Sequence, residues 1–159
     1  MERYDHGGDR YDNPHLLLDF STNLNPLGMP PKVREALIQN QADFAFYPDP
    51  HCRSLGKALA EKHGLREEQI LCGNGAADLI FRLCAWKKPR KTLTLAPTFS
   101  EYERPVLLFG GKMEFCHLKE EDNFILSWGF LDALTDDIDL LFLCNPNNPT
   151  GRLAEPDLM

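Results

Sequence analysis

The sequence predicts an α/β fold built on a mainly parallel sheet. Short apolar runs of strand length alternate with helix-period segments from residue 69 onward, and Gly, Pro and Asn clusters mark the joins. The 159 residues are 43% apolar and 26% charged, close to the globular norm, and suffice for one ordinary domain with a real core.

Residues 1–30 are rich in Gly, Pro, Asn and Asp and read as an irregular N-terminal arm; residues 31–159 read as the domain proper. A helix is expected from Pro31, since proline suits a first turn and Val33, Ala36 and Leu37 follow at helical spacing. It should end before the aromatic stretch from Phe44 to Tyr47. A second helix is expected from Arg53 to His63, with Leu55, Leu59 and Ala60 on one face and Gly64 as its C-terminal cap. The alternation then starts. A strand at 69–72 runs into Gly73-Asn74-Gly75, and a helix follows with Ala76, Leu79, Ile80, Leu83 and Cys84 on one stripe. Next come a strand at 92–96, a helix at about 99–109, a strand at 112–118, a helix at 127–134 and a strongly apolar strand at 138–144. In sheets of this kind ligands gather outside the carboxyl ends of the strands, so chemistry is sought in the turns that follow them.

The formal net charge is −7, which argues against a nucleic-acid partner or an anionic membrane surface. The five cysteines are scattered without a C-x-x-C, and His51, His63 and His117 lack paired spacing, so neither a disulfide framework nor a metal site is expected. The polar N-terminus carries no apolar leader and no run reaches membrane-spanning length, which makes a soluble cytoplasmic protein the expectation. The run from Lys119 to Asn123 reads as a solvated loop.

Two turns attract attention. Gly73-Asn74-Gly75-Ala76-Ala77-Asp78 follows a strand and opens a helix, where small residues and free N–H groups admit an anion. It is neither G-x-G-x-x-G, because Asp78 stands at the third glycine, nor a Walker loop, and by itself it reads better as a tight strand–helix turn. The second turn, Asn145-Pro146-Asn147-Asn148-Pro149-Thr150-Gly151, follows the strongest strand. An Asn amide there is a neutral donor suited to a phenolate oxygen, although a plain Pro/Asn turn has the same composition.

The run N-P-N-N-P-T-G resembles the signature of class I/II pyridoxal-phosphate aminotransferases. G-N-G-A-A-D-L-I is similar to their phosphate-cupping loop, Pro97 to Tyr102 to the segment that supplies the ring stacked on the cofactor, and Tyr47-Pro48-Asp49 to their Y-P-D. Four motifs in the family's order are more specific than any one of them, and the match as a whole runs from about His6 to Gly151. The resemblance implies the N-terminal part of the fold type I large domain, with pyridoxal 5'-phosphate as cofactor. It implies that Gly75 and the amides of Ala76 and Ala77 hold the cofactor phosphate. Phe99 would stack on the pyridine ring and Asn148 would bond its 3-oxygen. Tyr47 would reach the partner subunit's cofactor, making a homodimer part of the site. A core position remains the alternative for Phe99.

The stretch from Asp19 to Pro30, D-F-S-T-N-L-N-P-L-G-M-P, is similar to that of threonine-phosphate decarboxylases of cobalamin biosynthesis. Histidinol-phosphate aminotransferases have a related N-E-N-P version. With His6-Gly7-Gly8 it implies a phosphorylated amino acid as substrate, touched by His6, Gly7, Asn23 and Asn148; His6 reads equally as an exposed arm residue. In the family the Schiff-base lysine, the acidic partner of the pyridine nitrogen and the small domain follow the N-P-x-x-P-T-G turn. Every lysine here precedes it, so no catalytic residue is assigned and a truncated, inactive chain is expected. Two other classes stay open: a non-catalytic α/β module that kept the phosphate cup, and a nicotinamide-nucleotide domain. The latter would need an acidic residue where the second strand ends in Ala96-Pro97-Thr98.

Overall fold

The computed structural model describes His15 and residues 18–158. Contacts divide the chain into two units, one ending at His51 and the other beginning at Cys52. In the first, Asn25 organises a turn: its side-chain amide donates to the Gly28 carbonyl at 2.9 Å and its Oδ1 accepts from the Leu27 N–H at 3.1 Å. Helix α1 (Pro31–Gln39) starts on proline as expected and passes into a 3-10 turn, Gln41–Ala45. None of its residues is buried, and Val33 and Leu37 of its apolar stripe are exposed.

The second unit opens with α2 (Arg53–His63), which ends where the sequence places its stop. Gly64 takes a left-handed conformation, its N–H meets Glu61 O at 3.4 Å, and the Leu65 N–H meets Ala60 O at 2.9 Å. This double closure satisfies carbonyls that an α-helix leaves open. Then come α3 (Gly75–Lys87), β1 (Lys91–Ala96), α4 (Glu103–Leu108), β2 (Lys112–His117) and β3 (Leu140–Phe142). The strands form a parallel sheet in the order β2-β1-β3, with Thr94 of β1 opposite Phe115 on one side and Phe142 on the other.

Alternation along β1 separates two cores. Leu93 and Leu95 face a cluster with Leu126 and Phe130, joined by Ile138, Leu141, Leu143, Ala154 and others. On the opposite face Cys84, Val106 and Phe142 are buried together, packed by Ile80, Leu83 and Tyr102. Thr92 and Thr94 are fully buried on β1, and the Thr94 hydroxyl donates to Phe142 O at 3.0 Å. Across the amino ends of the strands, Asp139 accepts from the N–H groups of Arg90 (3.1 Å) and Lys91 (3.2 Å), which holds its carboxyl below the usual range.

Four expected elements differ. Residues 69–72 form no strand: Ile70 is extended (φ −108°, ψ 125°), but both edges of β1 are already paired and Leu71 is 67% exposed. Extended backbone makes a ladder only where it lies along a strand edge, and 69–72 lies along neither β1 nor the outer edges of β2 and β3. The helix expected at 99–109 breaks into a 3-10 turn (Ser100–Tyr102) and α4, because Pro105 has no N–H to give Glu101 and its ring opposes that carbonyl. Residues 128–133 form a 3-10 helix, whose three-residue repeat turns both Phe130 and Ala133 to the core. The strand at 138–144 is paired only at Leu140–Phe142, since Asp139 turns to its clip and the chain diverges toward Pro146. Among the described residues no helix is long and apolar enough to cross a membrane, and no cluster of three His, Cys, Asp or Glu could hold a metal ion.

Candidate cofactor site

Three segments lie at or near the carboxyl end of this sheet. The first is the start of α3. Gly73 is packed close: a Cβ there would lie 2.7 Å from Leu79 Cδ2 and 2.8 Å from Asp78 Oδ2. Gly75 has φ +82°, a left-handed turn that glycine adopts freely, and nothing lies within 4 Å of where its Cβ would be. Asp78 reaches back from the first turn, its Oδ2 accepting from the Asn74 N–H at 2.9 Å while Arg82 Nε lies 2.9 Å from Oδ1. The Asn74 N–H first, then the Arg82 guanidinium, hold the Asp78 carboxyl below its ordinary range. The loop is thereby closed without using the amides of Ala76 and Ala77, which sit in the helical turn that has no internal acceptors.

The second segment leaves β1 at Pro97-Thr98-Phe99. Phe99 is half-buried, its ring edge-on to Tyr102 with centroids 5.5 Å apart, and Tyr102 stacks flat on Phe142 at 4.6 Å. Burial first, then the neighbouring Cys144 thiol, push the Tyr102 hydroxyl up to about 12. The third segment leaves β3 at residues 145–151. Peptide bonds before Pro97, Pro146 and Pro149 are cis.

The second and third segments are tied by Asn147, which is 5% exposed. Its Oδ1 accepts from the Thr98 hydroxyl at 2.8 Å; its amide donates to Pro97 O at 3.0 Å and to the Thr150 hydroxyl at 2.9 Å. Its own N–H meets Arg152 O at 2.7 Å, and its carbonyl accepts from the Gly151 N–H at 2.6 Å. Asn145 Oδ1 is engaged by the Ala154 N–H at 3.0 Å. Of the three Asn amides in the turn, Asn147 is therefore sequestered and Asn145 braces the chain that follows, while Asn148 is half-buried.

A family model for aminotransferase class I and II matches residues 16–159. The chain belongs to that family. Among aminotransferase-family relatives, the chain is 44% identical over 147 residues to a threonine-phosphate decarboxylase of Salmonella typhimurium, covering 92% of this chain and 40% of the relative. The histidinol-phosphate aminotransferase structure from Clostridium acetobutylicum superposes with a TM-score of 0.75 at 31% identity, over 89% of this chain and 41% of that one. A histidinol-phosphate aminotransferase of Sinorhizobium meliloti, solved in complex with pyridoxal-5'-phosphate, gives a TM-score of 0.72 at 25% identity, over 80% and 35%. The chain thus spans about two-fifths of the length of the curated relatives it matches first. These neighbours share the α/β architecture expected from the sequence, part of the fold type I large domain with its parallel sheet.

The residues present fit a phosphorylated pyridine cofactor of the aminotransferase family. The start of α3 offers N–H groups beside open space, Phe99 a flat apolar face, and Asn148 a neutral amide. The structure brings Phe99 and Asn148 to adjacent strand exits. Gly75, Ala76 and Ala77 stand at the head of a helix that packs on the 100–102 turn and α4. Tyr47 is fully exposed and Asn23 exposed, both in the first unit. His6 and Gly7 lie outside the described residues. Sequence reasoning missed Asn147 and Tyr102. A signal existed for Tyr102, three residues after Phe99, but nothing local distinguished Asn147 from its neighbours.

Proposed function

We propose that this chain supplies the cofactor-gripping part of a pyridoxal-phosphate enzyme that decarboxylates threonine phosphate in cobalamin biosynthesis, acting as a cytoplasmic homodimer when joined to the rest of such an enzyme. In this reading residues 1–30 are a substrate-facing arm and residues 31–159 part of the cofactor-binding domain. The cofactor, once bound, supplies a ring that takes up the electron pair left when a bond at the substrate Cα breaks. The chain's own residues hold that ring. Gly75 and the amides of Ala76 and Ala77 take the phosphate, Phe99 covers one face and keeps water from it, and Asn148 donates to the ring oxygen. Tyr47 reaches the partner subunit's cofactor phosphate, while His6, Gly7, Asn23 and Asn148 face the substrate.

The observation that carries the reading is the placement of Phe99 and Asn148 at neighbouring strand exits, next to the residues that one buried clamp joins. Preference for the decarboxylase rests on the 44% identity to a threonine-phosphate decarboxylase, against 31% to 33% to curated histidinol-phosphate aminotransferases. It rests also on the D-F-S-T-N-L-N-P stretch from Asp19.

A cofactor titration of the chain, followed by absorbance, tests the grip. Phe99→Ala should weaken binding roughly threefold to tenfold, from the loss of about 0.5–1.5 kcal/mol of stacking. Asn148→Ala should weaken it about tenfold or more, since the bond goes to a charged oxygen. If the reading frame runs on past the codon for Met159, its whole product should release CO2 from threonine phosphate. Amino-group transfer from histidinol phosphate without CO2 release would overturn the substrate assignment.

A further inference from the structure

We infer that Asn147 is a positioning residue, which fixes the place of Phe99 relative to Asn148 and so sets the width of the slot between ring face and ring edge. Asn147 lies one residue before Asn148, and its partners Pro97 and Thr98 lie immediately before Phe99. Its side chain spans 49 and 50 residues of sequence with hydrogen bonds of 2.8 and 3.0 Å, and a third, of 2.9 Å, returns to Thr150. Both amide hydrogens are used, and the main-chain N–H and C=O are used as well. Such a group has no donor left for a ligand, so its contribution is geometric. Burial at 5% exposure makes it a stiff tie, because losing any partner leaves a dry polar group unpaired. A planar amide also holds its acceptor and donor sides at one fixed separation, which a hydroxyl or an aliphatic side chain cannot do. The turn from 147 to 151 is closed on the same residue, so Asn148 is carried on a hairpin whose base is pinned to the exit of β1.

This inference rests on the reading of Phe99 and Asn148 as ring contacts, and two readouts separate the two claims. The first is the side-chain amide cross-peak of Asn148 in a 15N NMR spectrum of the chain without any ligand. Thr98→Val, which removes one of the three side-chain bonds and is the milder change, and Asn147→Ala should both move that cross-peak. Leu93→Ala, a core change within β1 four residues before Pro97, should lower stability and leave it in place. The second readout is the pyridoxal 5'-phosphate titration. Thr98→Val should weaken binding about fivefold and Asn147→Ala more than tenfold, from about 1 kcal/mol per lost bond. Asn147→Asp, which keeps the acceptor for Thr98 and loses both donors, should fall between them. If the unmodified chain shows no saturable binding, the cofactor reading fails, and the positioning role is judged on the cross-peak alone. If the Asn148 cross-peak stays put in both Thr98→Val and Asn147→Ala, or if Leu93→Ala weakens binding as much as Asn147→Ala, Asn147 is only a structural residue and the inference is wrong.

Discussion

Replacing Gly73 by alanine tests how tightly the phosphate loop is built. The added Cβ would stand 2.7 Å from Leu79 Cδ2, 2.8 Å from Leu79 Cγ and 2.8 Å from Asp78 Oδ2. Carbon atoms in contact normally sit about 3.5–4.0 Å apart, so the overlap is on the order of 1 Å. Either Leu79 shifts within its half-buried site or Asp78 releases the Asn74 N–H, and that 2.9 Å bond ties the loop to the first turn of α3. Overpacking costs about 1–3 kcal/mol and a lost hydrogen bond about 1 more, which places Gly73→Ala at roughly 2–4 kcal/mol. Gly75→Ala is a contrast, since nothing crowds that position and only its left-handed backbone resists, at about 1–2 kcal/mol. Urea unfolding followed by tryptophan fluorescence measures both. The discriminating experiment pairs each with Leu79→Ala, which removes two of the three crowding atoms at Gly73 and none at Gly75. Gly73→Ala with Leu79→Ala should be less damaging than the sum by about 1 kcal/mol or more, whereas the Gly75 pair should add within about 0.5 kcal/mol. A Gly73→Ala chain as stable as the parent, or equal coupling in the two pairs, would refute the packing argument.

Two further expectations concern protons. The absorbance difference at 295 nm between the chain and Tyr102→Phe should titrate with a midpoint pushed up to about 12 from the usual 10.0. A raised pKa means that the stability supplied by the neutral hydroxyl is complete below pH 10.0 and is lost as pH rises through about 12; a midpoint at 10.0 would mean that Tyr102 is not desolvated on Phe142. For Asp78 the shift is downward, so its stabilising charge is present above pH 3.8 and disappears as pH falls through the lower folded value. In a carboxyl NMR titration Arg82→Gln should move the Asp78 midpoint only part of the way back to 3.8, because the Asn74 N–H is the larger cause. A full return would show that Arg82 alone holds it.

How legible each feature was depends on how far its causes reach along the chain. Helix α2 and its Gly64 cap were readable to the residue because every group that ends the helix lies within five residues. Helix α3 and strand β1 followed from local periodicity. The break at Pro105 was also written locally, yet the apolar spacing of Val106 and Phe109 masked it. The strand expected at 69–72 failed for a different reason: a ladder belongs to two segments, and among the described residues no strand edge pairs with this one. Within N-P-N-N-P-T-G the division of labour was invisible in the sequence. Which Asn turns inward is decided by Thr98 and the Pro97 carbonyl, 49 and 50 residues away.

The place of the site follows from the order β2-β1-β3. After β1 the chain passes to α4, whose Val106 is buried with Cys84 and Phe142 on one face of the sheet. After β3 it passes to Ala154 and Leu158, which pack with Leu93 and Leu95 on the other face. Two neighbouring parallel strands whose exits depart to opposite faces leave a crevice between them, in which a ligand reaches both exits without displacing either connection. Phe99 and Asn148 stand on those two exits. Strands in one sheet lie about 4.8 Å apart, so pairing of Thr94 with Phe142 already sets the scale of the crevice. The aromatic series Phe99–Tyr102–Phe142 and the Asn147 clamp both run from the β1 exit to β3, one apolar and one polar. Restraints of such different chemistry on a single separation argue that this distance, more than the identity of any one contact, is what the local sequence specifies.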